Sequence, residues 1–333
     1  MGAAVDNSQI EPSAWCFCHI ADMHVGSPRS FRYEPAFYDN WRQARDQIVE
    51  ARPRFLLVGG DVTRDGNLHR FELERLRVEL DGLPFPYHIV PGNMETANKI
   101  TNVDNPSRSV ADTSLNITTE ATLQFCEVFG PPWWTVEYEK ISISGFCDML
   151  AGSGLPEEQE LWRWVERQKK EWGRKPRGAG WVKIWVTHYP LFLEKPDEPT
   201  WDIRNPATYL NWYFSIDRPA RQRLLETFEQ TGTSIVISSH MHCRRSLLAG
   251  GIRYDMAPAT SFSQMTDHWP DSDGTLGFLR YDVAASSISK AFVPLKRSFP
   301  RRGYGPGGHV PPEKQDYTLA SHNKRPEEIE EKL

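Results

Sequence analysis

The sequence predicts an α/β fold of two packed β-sheets flanked by helices, and three observations predict it. Short runs rich in β-branched, aromatic and small apolar residues recur along the chain, each closed by Gly, Pro, Asp or His. Stretches with apolar residues three and four apart lie between several of them. Toward the end, strand-like runs follow one another with no helical stretch between. Strands alternating with helices argue for a layered α/β domain, and two sheets packed face to face accommodate both parts of the chain.

The elements follow in order. Residues 15–20 (WCFCHI) form the first expected strand, where Cys16 and Cys18 lie two apart, share a face and read as core thiols. A helix over 37–51, a strand over 55–58, a helix over 68–80 and a strand over 87–90 come next. Between Glu95 and Trp134 the chain is long and polar and is expected to cover or border the site described below. A strand over 141–144 precedes a helix over 156–172, which opens with acidic residues and closes with Lys, matching the helix dipole. A strand over 183–186, a helix over 219–230 and a strand over 234–237 complete the alternating part. Residues 252–256, 278–282 and 287–293 are consecutive strands.

Composition narrows the function classes. The 333 residues are 39% hydrophobic and 25% charged, ordinary for a globular chain, and suffice for one large domain with a substantial core. Residues 1–13 read as a flexible lead segment. The Pro/Gly-rich, charged stretch 298–333 reads as a tail, disordered or laid over the surface. A net charge of −5 argues against a broad basic surface for nucleic acid or anionic lipid. No apolar run is long enough to cross a bilayer, and the first residues lack the pattern of a secretory signal, so the expected location is cytoplasmic. Five cysteines (Cys16, Cys18, Cys126, Cys147 and Cys243) at irregular spacing make neither a disulfide framework nor a zinc knuckle.

The chemistry sits at the strand ends. Asp22 and His24 follow the first strand, Asp61 the second in Gly59-Gly60-Asp61, and Asn93 the third in Pro91-Gly92-Asn93. His188 follows the run KIWV, and His240 and His242 follow SIVIS. Loops beyond the carboxyl ends of strands are where α/β sheets bind ligands, so seven oxygen and nitrogen ligands converge on one edge. Carboxylate and imidazole together suit Zn, Fe or Mn better than Ca. Seven side chains are too many for one ion and suit two, if one carboxylate bridges.

In this order the sequence resembles the calcineurin-like metallophosphoesterase superfamily, and its phosphodiesterase branches in particular. The matching pattern is Asp-x-His, Gly-Asp, Gly-Asn, a lone His and His-x-His. LPEEQELWRWVERQ and GGIRYDMAPATSF are similar to further family segments. The likeness runs from about Trp15 to Val293, which makes residues 14–297 the catalytic domain. It implies a four-layer sandwich and two metal ions. The first ion would lie on Asp22, His24, Asp61 and His242. The second would lie on Asp61, Asn93, His188 and His240, with Asp61 as the bridge. It implies a small-molecule phosphoester substrate, more readily a diester than a monoester, attacked by metal-bound hydroxide. Ser239 stands where the family usually has Gly, and Met94 where it usually has the His that protonates the leaving group. Methionine has no ionisable proton.

The remaining candidates carry weaker signals. His268 is a substitute acid in a polar loop, and Arg29 and Arg32 could meet a substrate anion. Trp133, Trp134, Trp201, Tyr209, Trp212 and Trp269 could line an apolar pocket or simply pack. Two rival readings stand beside phosphoester hydrolysis. One keeps the dinuclear centre for another hydrolysis or for iron redox chemistry, and the other is a non-catalytic binding protein on the same fold.

Overall fold

The computed structural model describes residues 14–27, 33–100, 116–176, 179–201, 205, 207–264, 266, 269, 273–284 and 287–300. Their architecture is two mixed sheets, each carrying helices on its outer face. The first sheet runs β11-β10-β1-β2-β3. Its members are β1 (Trp15–Ile20), β2 (Leu56–Val58), β3 (Tyr87–Ile89), β10 (Gly277–Ala284) and β11 (Ser287–Pro294). Strands β1, β2 and β3 are parallel, while β10 and β11 close that side antiparallel.

The second sheet runs β4-β5-β6-β7-β9-β8. It comprises β4 (Trp133–Tyr138), β5 (Ile141–Phe146), β6 (Val182–Val186), β7 (Ile235–Ser238), β8 (Arg245–Ala249) and β9 (Ile252–Met256). Strands β5, β6, β7 and β9 are parallel, and the edge strands β4 and β8 are antiparallel to them.

Strand alternation builds the layers. Phe17 and Leu57 point between the sheets and meet Ile143, Ile184, Val186 and Ile237 from the other sheet. Cys18, Leu56 and Val58 point outward. They pack with Trp41 and Ile48 of α1 (Pro35–Ala51), Leu76 and Leu80 of α2 (Arg70–Asp81), and Phe125. On the far side Trp185 packs with Trp164 and Trp172 of α5 (Pro156–Gly173) and Phe228 of α7 (Arg218–Gln230). The order helices, sheet, sheet, helices is the sandwich expected from the sequence. Cys16 and Cys18 are buried free thiols, and burial pushes Cys18 up to about 12.

Among its described residues, the long polar stretch from Glu95 to Trp134 includes two helices, the first of them begun at Asn93. After the short helix α3 (Asn93–Thr96), residues 101–115 lie outside the described set, but α4 (Thr119–Phe129) follows and joins the outer helix layer through Phe125. Trp133 and Trp134 open β4, and Trp134 donates its indole proton to Ile89 O (2.6 Å). They line a surface groove with Phe85, Tyr87 and Phe129 that none of the seven candidate ligands reaches. Strands β4 and β8 escape sequence reading because edge strands bury little and so lack long apolar runs. Residues 1–13 and 301–333 lie outside the described set. Chain approaching that last stretch is laced to α1. Gln47 bonds Pro294 O and Lys296 N (2.9 and 2.8 Å), and Asn40 bonds Phe299 O and N (3.3 and 2.7 Å).

No helix among the described residues is long and apolar enough to cross a membrane.

Candidate metal centre

The parallel strands deliver the candidate ligands because their C-terminal ends point the same way. β1 leads into Asp22 and His24, β2 into Asp61, β3 into Asn93, β6 into His188, and β7 into His240 and His242. Asp-x-His and His-x-His work by alternation. Asp22, His24, Asp61, His240 and His242 all have positive φ, between 47° and 67°. The intervening Met23 and Met241 are fully buried and belong to core clusters. Positive φ at a residue with a side chain costs about 1–3 kcal/mol and concentrates at functional sites. Five such residues in one cluster mark this edge as built for something other than stability.

Glycines make the turns possible. Gly60 has φ +89°, and a Cβ there would meet Gly92 N at 2.6 Å and His188 Nδ1 at 2.7 Å. A Cβ on Gly92 would lie 2.3 Å from both N and Oδ1 of Asp61. The two turns interlock, so the backbone has to be bare at both.

The structure brings all seven predicted ligands together, every one of them buried. Ligand atoms of Asp22, His24, Asp61 and His242 lie within 4.8 Å of one another, and so do those of Asp61, His188 and His240. Asn93 joins the second group through Oδ1, 3.1 Å from His188 Nε2. Asp61 belongs to both groups, with Oδ2 3.7 Å from His24 Nε2 and Oδ1 3.3 Å from His188 Nε2.

Whether these residues fit metal ions can be read from their hydrogen bonds. His188 presents Nδ1 to Gly59 O (2.8 Å), His242 presents Nδ1 to Phe262 O (2.8 Å), and His240 presents Nε2 to Tyr213 O (3.1 Å). A carbonyl only accepts, so each of these rings holds a proton outside and, when neutral, turns a lone pair inward. The inward Nδ1 of His240 has no hydrogen-bond partner. His188 Nε2 instead faces two acceptor oxygens, from Asn93 and Asp61. His24 Nε2 and His242 Nε2 are 3.1 Å apart, close to the about 3.3 Å expected of two imidazoles on one tetrahedral ion. Inner ring nitrogens and carboxylate and amide oxygens gathered this closely in a buried site are a set that a cation fits.

The titration behaviour agrees. Burial pushes Asp22 well above the usual carboxylate range. Burial would also raise Asp61, but His188 and the other imidazoles hold it far below that range. Burial would lower His188, yet Asp61 outweighs it and lifts the ring to about 10. Without an ion, the cluster has to recruit protons to balance its charge.

Two buried carboxylates were given no role by the sequence reading. Glu95 accepts from Asp61 N (2.9 Å), Gly92 N (2.8 Å), Thr63 N (2.9 Å) and Thr63 Oγ1 (2.6 Å), tying the β2 and β3 turns together. A Glu three residues into the turn, reaching back to a backbone N–H, is the signal that could have found it. Asp148, after β5, accepts from His188 N (3.0 Å) and Tyr189 N (2.8 Å). No local pattern announces that contact, which depends on β5 and β6 being neighbours.

Met94 sits at the rim, partly exposed, with its N–H on Asp61 Oδ1 (2.8 Å). Arg29, Arg32 and His268 lie outside the described residues. Of the other aromatics, Trp212 and Trp269 are buried. Tyr209 stands 6.0 Å from the ring of Tyr213, which is itself 5.0 Å from that of His240.

The chain is similar to known proteins in sequence and in fold. Residues 17–244 match the family model of the calcineurin-like phosphoesterases. The chain is 23% identical over 265 residues to the serine/threonine-protein phosphatase CPPED1 of Danio rerio, covering 72% of this chain and 74% of that protein. Among solved structures, the purple acid phosphatase PPD1 from yellow lupin (Lupinus luteus) seeds has a TM-score of 0.57 at 12% identity. That match covers 86% of this chain but only 52% of the lupin enzyme, so the chain spans about half of its length. GAP50, the anchor in the inner membrane complex of Plasmodium, has a TM-score of 0.51 at 14% identity, with 86% of each chain covered. The two structures share the fold. With most of its length inside the family model and a candidate dimetal site at the strand ends, the chain belongs to the calcineurin-like phosphoesterases.

Proposed function

We propose that the protein hydrolyses a phosphodiester with two metal ions, iron, manganese or zinc, the first on Asp22, His24, Asp61 and His242 and the second on Asp61, Asn93, His188 and His240. The observation that carries this reading is the convergence of the inner ring nitrogens of His188 and His240 with the side-chain oxygens of Asn93 and Asp61 in a buried site. When bound, such ions supply an acidified water and positive charge against the phosphoryl oxygens. The chain itself contributes orientation. Asp61 offers one oxygen to each group, and its position is fixed by Met94 N and, through its own N–H, by Glu95. Asn93 Nδ2 is buried without a partner and can donate to a phosphoryl oxygen.

Met94 shapes the choice of substrate. General-acid help is typically worth about 10²–10⁴-fold in rate, and a thioether supplies none. The site therefore favours leaving groups that depart unprotonated, such as the aryloxides of aryl phosphoesters. Rates on a matched ester series should fall steeply with leaving-group pKa. Met94→His should flatten the slope and gain most on the poor leaving groups. A shallow slope in the wild type, unchanged by Met94→His, would overturn this account of Met94 and point to another acid.

A further inference from the structure

The loop after α3 carries a buried lysine that no part of the chemistry above uses. Lys99 is 4% exposed. Its Nζ donates to Ser215 O (2.6 Å) and Asp217 Oδ1 (2.9 Å), and lies 4.6 Å from the ring centre of Trp212. An ammonium buried this far is tolerated only when paired and hydrogen-bonded. Asp217 precedes α7 as its N-cap yet makes no capping bond with its side chain, which leaves the carboxylate to Lys99.

The partners share one neighbourhood. Trp212 belongs to α6 (Tyr209–Tyr213), and Ser215 lies two residues past its end. The last residue of α6, Tyr213, gives its carbonyl to His240 Nε2 (3.1 Å). That bond keeps the ring proton outside and turns His240 Nδ1 inward. A helix of five residues does not hold itself in water, so its place depends on tertiary ties. Phe214 and Trp212 are buried, Ile216 N bonds Pro190 O (3.2 Å), and Lys99 binds the junction to the segment that carries Asn93. One residue earlier, Asn98 Oδ1 receives the hydroxyl of Tyr189 (3.4 Å), whose ring lies 3.9 Å from that of His240.

We infer that Lys99 is a positioning residue for the second ion. By fastening α6 to the Asn93 segment, it fixes the carbonyl that orients His240. The inference rests on the two-ion reading and adds that the second ion's affinity is set from outside the ligand shell. None of the partners of Lys99 belongs to the first group, so the effect is confined to one ion.

Metal-stripped wild type titrated with Mn²⁺ by calorimetry should show two binding phases, and the phase abolished by His188→Ala is the second ion. Lys99→Met should weaken that phase by about 10–100-fold, the range for outer partners of metal ligands, and leave the other phase unchanged. Lys99→Arg keeps the cation and should restore most of the affinity. Unchanged phases with only a lower melting temperature, or equal weakening of both, would overturn the inference. If Lys99→Met does not fold, Asp217→Asn loosens the same tie. A smaller loss in the same phase then supports the inference, and no loss overturns it. A wild type that binds no Mn²⁺ would instead overturn the two-ion reading, and this inference with it.

Discussion

The two halves of the cluster share Asp61 but are finished differently on their outer sides. In the second group both imidazoles donate to backbone carbonyls, His188 to Gly59 and His240 to Tyr213. In the first, His242 does the same with Phe262, but His24 Nδ1 faces a guanidinium, Arg64 Nη1 at 3.3 Å. Arg64 is 1% exposed. A guanidinium only donates, so beside a neutral ring it leaves the imidazole proton on Nε2, which faces His242 Nε2. The second group is thus arranged with both inner ring nitrogens facing the site, and an ion there has only to displace the proton that Asp61 holds on His188. The first has to move a proton and turn Arg64 aside before His24 can offer a lone pair. Equal ligand counts need not give equal affinity, because the outer contacts decide how much rearrangement loading requires.

The largest test of that comparison is the residue common to both halves. Asp61→Asn removes the shared charge and should bring metal content from about two ions per chain to fewer than one; full retention of two would show that Asp61 is not a bridge. Next comes the contact that separates the halves. Arg64→Met removes the opposing cation, and the first ion should bind about tenfold more tightly, while the second stays as it was. Weaker binding of the first ion would mean that Arg64 assists the site.

A smaller effect should appear in the metal-free protein. Burial, partly offset by His188, lifts Asp148 from its ordinary 3.8 to about 6. Between these values the folded form holds a proton that the unfolded form has released, so stability falls as pH rises from about 4 to 6. Asp148→Asn should remove that part of the slope in denaturant unfolding measured across the window. A slope equal to that of the wild type would contradict the assignment. The smallest effect concerns the end of the chain. Residues 294–299 are laced to Asn40 and Gln47, and chain from Pro311 onward carries few apolar groups. Deleting residues 311–333 should leave the melting temperature and both metal phases unchanged, and a large drop would show that this stretch docks on the core.

Much of this was legible because two periodicities carried it. β1 and β9 were read to the residue, and α1, α2, α5 and α7 to within about two residues, since amphipathic stripes announce themselves. The buried cluster was legible because each of its candidate ligands follows the end of a strand. Edge strands β4 and β8 were missed for want of buried runs, and α4 because it lies in a polar stretch with only Ala121, Thr122 and Phe125 buried. The contacts that distinguish the two halves could not be read at all. Arg64 with His24, Asp148 with His188 and Lys99 with α6 join residues far apart in sequence, and no local pattern encodes such pairs.

The central claim is tested most directly by titrating metal-stripped wild type with Mn²⁺ and counting bound ions. The account predicts two ions per chain in two phases, the tighter of which disappears in His188→Ala. A single ion, or two ions whose weaker phase is the one His188→Ala removes, would contradict it.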